Sequence, residues 1–327
     1  MNLEKTSAAL GAYIDADIPV FLWGAPGIGK SDCVASLAKE REQPMIDLRA
    51  ILLDPVDLRG LPHVTDGVAS WARPAFLPDA ERDGPKGILF LDELNAAPPS
   101  TQAACFQLVL NRRIGEYHLP AGWRIVAAGN RQTDRAAAQR MPSALANRFA
   151  HIDVEADPAD WRRWANAAGI SPVVSAFIAF RPELLHNMTS PDLRAFPTPR
   201  SWAQVARVAD APDGIRLNLI SGLVGDGAGA EFEGFVRLYR ELPSIKAILE
   251  DPRGARVPEE PAARYAVATG IARAATTTNF DAVMTYAQRL PREHEILTCV
   301  DAVKRDKALA STRAFIDFAT RNQDVTI

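Results

Sequence analysis

Ile18-Pro-Val-Phe-Leu-Trp23 followed by Gly24-Ala25-Pro26-Gly27-Ile28-Gly29-Lys30-Ser31 decides the fold of this 327-residue chain. The first six residues are a short buried run, and the next eight fit G-x-x-x-x-G-K-[ST] at every fixed position. Cys33, Val34, Leu37 and Ala38 then fall at helical spacing, so the spacing predicts a strand, a glycine loop and a helix. Such a loop turns its N–H groups toward a phosphate, and the positive end of the helix adds to the attraction. The cradle is expected to run from Gly24 through Asp32, with Lys30 reaching the β- and γ-phosphates of ATP and the Ser31 hydroxyl on Mg²⁺.

Working outward, Met45–Ala50, Gly87–Glu93, Trp123–Asn130 and Ala150–Ala156 read as further strands, the second of them nearly all apolar. Helical spacing separates several of them, with Pro99 opening a helix through Arg113. Strands alternating with helices predict a parallel α/β sheet. Asp92, at the end of an apolar strand, is placed to hold Mg²⁺, and Glu93 to polarise the attacking water. Asn130 ends another strand, where an amide can orient that water. Residues 54–78, with Asp66-Gly67 between short alternating runs, and residues 114–122 predict two hairpin inserts.

After Asp157 helical patterns dominate, at 161–168, 173–180, 199–208, 231–241, 262–275 and 307–321. Trp161, Trp164, Ala165 and Ala168 predict a buried stripe, and Trp161, Trp164 and Trp202 are expected in the core. Thr198-Pro199-Arg200 starts a helix whose packed stripe is Trp202, Val205, Ala206 and Ala209. That leaves Arg200 on another face, free to meet a phosphate. Gly222-Leu-Val-Gly225-Asp-Gly227 lacks a preceding strand and is expected to be a flexible loop.

Composition sets the bounds. The chain carries 47% hydrophobic and 24% charged residues and a formal charge of -3, which excludes wholesale disorder and a generic polyanion coat. Three scattered cysteines fit a reducing compartment, and no histidine or cysteine pair has zinc-ligand spacing. The N-terminal sequence lacks the layout of a signal peptide and no apolar run suits a bilayer, so a cytoplasmic protein without membrane contact is expected.

With GAPGIGKS, LFLDE, Asn130, Ala144-Leu-Ala-Asn-Arg148-Phe149 and TPRS in series, residues 15–210 resemble the AAA+ ATPases, specifically the MoxR-like and dynein-related group. The resemblance implies an AAA+ core at residues 1–155, a helical lid at 156–242 and a helical C-terminal extension at 243–327. It implies that Asn130 is sensor 1, Arg148 an arginine finger acting on a neighbouring subunit's nucleotide, and Arg200 sensor 2. The inserts take the places of that group's helix-2 insert and pre-sensor-1 hairpin. The output it implies is a homo-oligomeric ring, a hexamer, working as a chaperone on a client such as a von Willebrand factor A domain protein. An ATP-dependent nucleic-acid motor and a slow ATP-gated scaffold remain the alternatives.

Between Asn111 and Arg148 stand seven arginines, no lysine and two acids. Arginine suits bidentate phosphate recognition. The segment reads as an interface offering charge to a neighbour's ATP, as a pore surface for nucleic acid, or as a solvated face. Arg131 and Arg135 are secondary candidates for a trans arginine.

Overall fold

A computed structural model describes residues 1–134, 139, 141–188, 194–240, 242 and 244–323. The chain divides into two compact units, Met1–Ala156 and Asp157–Ile327.

The first unit begins with α1 (Leu3–Asp15), capped by the Asn2 side chain, which accepts from the Lys5 amide. Then come β1 (Val20–Trp23), α2 (Lys30–Glu40), β2 (Met45–Arg49), α3 (Pro55–Arg59), and β3 (Leu61–Thr65) with β4 (Val68–Ala72). They are followed by β5 (Lys86–Asp92), α4 (Pro99–Asn111), β6 (Arg113–Ile114), β7 (Tyr117–His118), β8 (Gly122–Gly129), α5 (Ser143–Ala146) and β9 (Ala150–Asp153). Five strands form one parallel sheet in the order β2-β5-β8-β1-β9.

The central strands are apolar because both of their faces are covered. Ile88 to Leu91 are completely buried, as are Val126 to Ala128. In register, Trp23 lies opposite Gly129 on one side and Asp153 on the other, and Leu91 opposite Ala127. The carboxyl ends of β1, β5 and β8 therefore reach the same edge, where open parallel sheets bind ligands.

Both expected inserts are hairpins. β3 and β4 pair across Asp66-Gly67, while β6 and β7 are only two residues each. The helix opened by Pro99 stops at Asn111, not Arg113, because Arg112 turns left-handed (φ 53°) and Arg113 enters β6.

The second unit is helical: α6 (Pro158–Ala167), α7 (Pro172–Phe180), α8 (Pro199–Val208), α9 (Asp213–Val224), α10 (Asp226–Arg240), α11 (Ile245–Glu250), α12 (Pro261–Ala274), α13 (Phe280–Ala287), α14 (Arg292–Arg305) and α15 (Arg313–Arg321). One core gathers Phe177, Trp202 and Phe232, whose rings lie 5.2 to 5.5 Å apart. A second core runs from Ile248 to Phe318.

Three expectations change here. Gly222–Gly227 is not a flexible loop: residues 222–224 finish α9 and Asp226 starts α10, with Gly225 (φ 82°) making the corner. Trp164 and Ala168 face outward, so the stripe of α6 narrows to Trp161 and Ala165. The stretch 307–321 is a 3-10 turn (Lys307–Ser311) and then α15, broken at the capping residue Thr312. Among the described residues no helix is long and apolar enough to cross a membrane.

Candidate functional site

At the carboxyl end of β1 the chain turns through the glycine loop into α2. Gly29 caps that helix with φ 97°, a left-handed conformation that side-chain-bearing residues reach at a cost. The first amides of α2, at Lys30, Ser31 and Asp32, have no carbonyl four residues back to bond, so they are donors available to an anion.

Lys30 is buried. Its ammonium donates to the Gly24 carbonyl (2.6 Å), the Ala25 carbonyl (3.0 Å) and Asn130 Oδ1 (3.1 Å). Ser31 Oγ donates to Asp92 Oδ2 at 3.0 Å. These bonds bring together four residues that lie as much as a hundred positions apart in sequence: Lys30, Ser31, Asp92 and Asn130.

Glu93 follows in a left-handed conformation (φ 55°, ψ 31°), with its amide donating to Asp92 Oδ1 at 2.9 Å. This turn ends β5 abruptly and starts the short 3-10 segment Leu94–Ala96. A non-glycine residue held left-handed costs about 1–3 kcal/mol and persists only where the surroundings impose it. Both carboxylates stay half-buried. Asp32 is exposed on the first turn of α2.

Ser31 Oγ and the Asp92 carboxylate are hard oxygen donors, the kind Mg²⁺ takes alongside phosphate oxygens and water. Among the described residues there is no group of three or more His, Cys, Asp or Glu that could cage a metal without such help. The donor set therefore fits an ion carried in with a nucleotide.

The arginine segment separates into distinct roles. Arg112 donates to the carbonyls of Pro120 and Trp123, and Arg124 to those of Ile14 and Ala121. Both also lie within ion-pair distance of Asp17. Arg131 is held by Asp153 Oδ1 and the Val154 carbonyl, each at 3.0 Å. Three of the seven are thus engaged within their own unit, which narrows the expected charged interface. Arg135 and Arg140 lie outside the described residues. Arg113 and Arg148 are exposed, and among the described residues neither side chain has a hydrogen-bond or ion-pair partner.

Sequence reasoning missed two polar links. Trp23 Nε1 donates to His151 Nδ1 at 2.8 Å, and His151 Nε2 lies 2.9 Å from the Ala146 carbonyl. With Nδ1 accepting, Nε2 carries the proton, so the imidazole bridges the strand before the glycine loop to the helix before Arg148. The second link is made by Asn95. Neither residue belongs to a spacing pattern, since each contact joins segments distant in sequence.

In the second unit Arg200 is exposed at the start of α8. The helix is fixed by a reciprocal cap: the Thr198 hydroxyl accepts from the Ser201 amide (3.0 Å), and Ser201 Oγ accepts from the Thr198 amide (2.8 Å).

Comparison with known proteins agrees with this geometry. The model of the AAA domain, dynein-related subfamily, matches residues 19–149. No curated protein matches the chain. Similar solved structures include a mutant of Thermotoga maritima RuvB, 17% identical with a TM-score of 0.42, covering 82% of this chain and 80% of that one. NtrX from Brucella abortus in complex with ADP is 15% identical with a TM-score of 0.36, covering 99% of this chain and 68% of that one. At such scores neither carries weight for function.

Proposed function

From an AAA ATPase domain of the dynein-related subfamily, to which residues 19–149 belong, we propose that the chain hydrolyses ATP within a homo-oligomeric ring and uses the cycle to remodel a client protein. The observation that carries this reading is the 3.0 Å bond between Ser31 Oγ and Asp92 Oδ2, which joins the phosphate loop to the acidic strand end.

In this reading Gly24–Asp32 holds the phosphates through main-chain amides. Lys30 exchanges one of its carbonyl bonds for a phosphate oxygen. Ser31 and Asp92 hold Mg²⁺, which supplies neutralisation of the phosphate charge when bound. Glu93 takes the proton of the attacking water, and Asn130, beside the Lys30 ammonium, orients that water. Arg148, exposed and unengaged, reaches the nucleotide of the next subunit. Such fingers are worth about 10³–10⁵ in rate. Arg200 takes the sensor 2 role within the lid, residues 156–242, and residues 243–327 extend that lid. The ring is a hexamer.

The client side is supported by the 54–78 insert. Leu61, Val64 and Val68 on its hairpin are each about 70% exposed, an apolar surface that a partner would cover. A MoxR-like chaperone acting on a von Willebrand factor A domain protein is the form we favour.

Glu93→Gln tests the reading. This variant is expected to bind ATP, to lose turnover by at least about 10²-fold and to accumulate as an assembled ring on a sizing column. Wild-type ATPase is expected to rise more steeply than linearly with protein concentration. Turnover that persists in Glu93→Gln, or a specific activity independent of concentration, overturns it.

A further inference from the structure

Asn95 occupies the middle of the 3-10 turn directly after Glu93 and is 1% exposed. Its Nδ2 donates to the Asn130 carbonyl at 2.7 Å. Its own carbonyl accepts from the Gln139 amide at 2.8 Å. One buried residue thus bonds both Asn130, just after β8, and Gln139, nine positions later in sequence.

The amide is also packed closely from behind. A Cβ on Gly129 would overlap Asn95 Oδ1 and come within 2.7 Å of Asn95 Cγ. Only glycine at 129 lets the Asn95 side chain reach the Asn130 carbonyl. Asn95 Oδ1 is itself buried and lacks a hydrogen-bond partner among the described residues. Leaving a buried acceptor unsatisfied is destabilising. An apolar side chain there would spare that acceptor but take the donor from the Asn130 carbonyl, so what the asparagine supplies is the tie to Asn130.

We propose that Asn95 is a positioning residue for hydrolysis. It sets the peptide of Asn130, and through it the side chain that meets the Lys30 ammonium at 3.1 Å. Because it sits two residues after Glu93, the same contact fixes the water-orienting amide relative to the catalytic base. The Gln139 bond adds a second backbone anchor to that turn. Asn95 reaches the phosphate cradle only through Asn130, and Lys30 keeps the Gly24 and Ala25 carbonyls as further acceptors, so loss of Asn95 is expected to lower turnover far more than binding. This inference rests on the ATPase reading of the site.

Asn95→Leu keeps the branched shape, with added bulk, and removes the donor. It is expected to bind a fluorescent ATP analogue within about threefold of wild type while kcat falls on the order of 10²-fold, the scale on which misplacement by about an ångström acts. Gly129→Ala pushes the Asn95 side chain aside and is expected to give the same split. Combined, the two changes are expected to lose no more than either alone, because both remove one contact. Wild-type kcat in Asn95→Leu overturns the proposal, as does additivity in the double variant. If Asn95→Leu fails to fold, Gly129→Ala decides the matter by the same split. Glu93→Gln measured beside them keeps the failures apart. Wild-type turnover no higher than that of Glu93→Gln sinks the reading of the site, whereas normal turnover in both wild type and Asn95→Leu sinks only the role of Asn95.

Discussion

Lys30 commits its ammonium to the Gly24 and Ala25 carbonyls and to Asn130 Oδ1, so its removal takes away both the proposed phosphate ligand and a tie within the loop. Lys30→Ala is expected to weaken ATP binding by more than about 10²-fold, as two or more charge-assisted bonds are lost, and titration with a fluorescent nucleotide measures it. Cys33, three residues on, makes the opposite case. Burial, with Glu40 and Asp32 adding to it, pushes its thiol up to about 11, so roughly 10⁻³ of it is ionised at pH 8. Iodoacetamide at pH 8 is therefore expected to leave ATPase activity intact over an hour, despite the nearness of the phosphate loop. A rapid loss that ATP prevents would contradict the burial of Cys33. At this scale the sequence is informative wherever a residue belongs to a local spacing, as Lys30, Ser31, Asp92 and Glu93 do. It is silent on Asn95, Trp23 and His151, whose partners are fixed only once the sheet brings them together.

Among the elements, α9 and α10 are joined by a fully buried guanidinium. Arg216 donates to both oxygens of Glu233, at 2.8 and 2.7 Å. That bond holds the Glu233 carboxyl below its ordinary value of 4.5. Since the folded value is depressed, the stabilisation is complete at neutral pH and is lost as pH falls below the ordinary carboxylate range. Urea midpoints of the helical unit are expected to fall between pH 5 and pH 3. In Glu233→Gln that acid dependence is expected to shrink, while stability at pH 7 drops by about 1–3 kcal/mol, since Arg216 loses one charged partner but keeps Asp213. An unchanged pH profile in the variant would place the acid sensitivity elsewhere. The same pair shows why 222–227 departs from its local composition. Three glycines in six residues suggest a loop, but the packing of α9 on α10 keeps two of them helical and leaves only Gly225 to turn the corner. Helix α8 is legible to the residue because its cap and its apolar spacing agree locally. Helix α1 also carries a readable signal, Asn2 as a cap with Thr6, Leu10 and Ile14 buried at intervals of four, yet its start was not among the helices expected from spacing.

For the whole molecule, the proposed completion of the site by a neighbour predicts complementation. Arg148→Ala and Glu93→Gln subunits, each inactive alone, are expected to recover a measurable fraction of ATPase when mixed, since some interfaces then pair an intact acid with an intact arginine. Strictly dead mixtures, with mixed rings demonstrated by sizing, would count against a finger acting in trans. Net charge along a segment is a poor guide to such an interface. Arg112 and Arg124 direct their donors to carbonyls of their own unit, and carbonyls are invisible to a count of charges. Stability brings a different consequence, seated in the left-handed turn at Glu93. Glycine at this position would relieve a backbone penalty of about 1–2 kcal/mol, less what glycine adds to unfolded freedom. A population of variants chosen only for heat resistance should therefore drift toward a sturdier protein that has discarded its own chemistry.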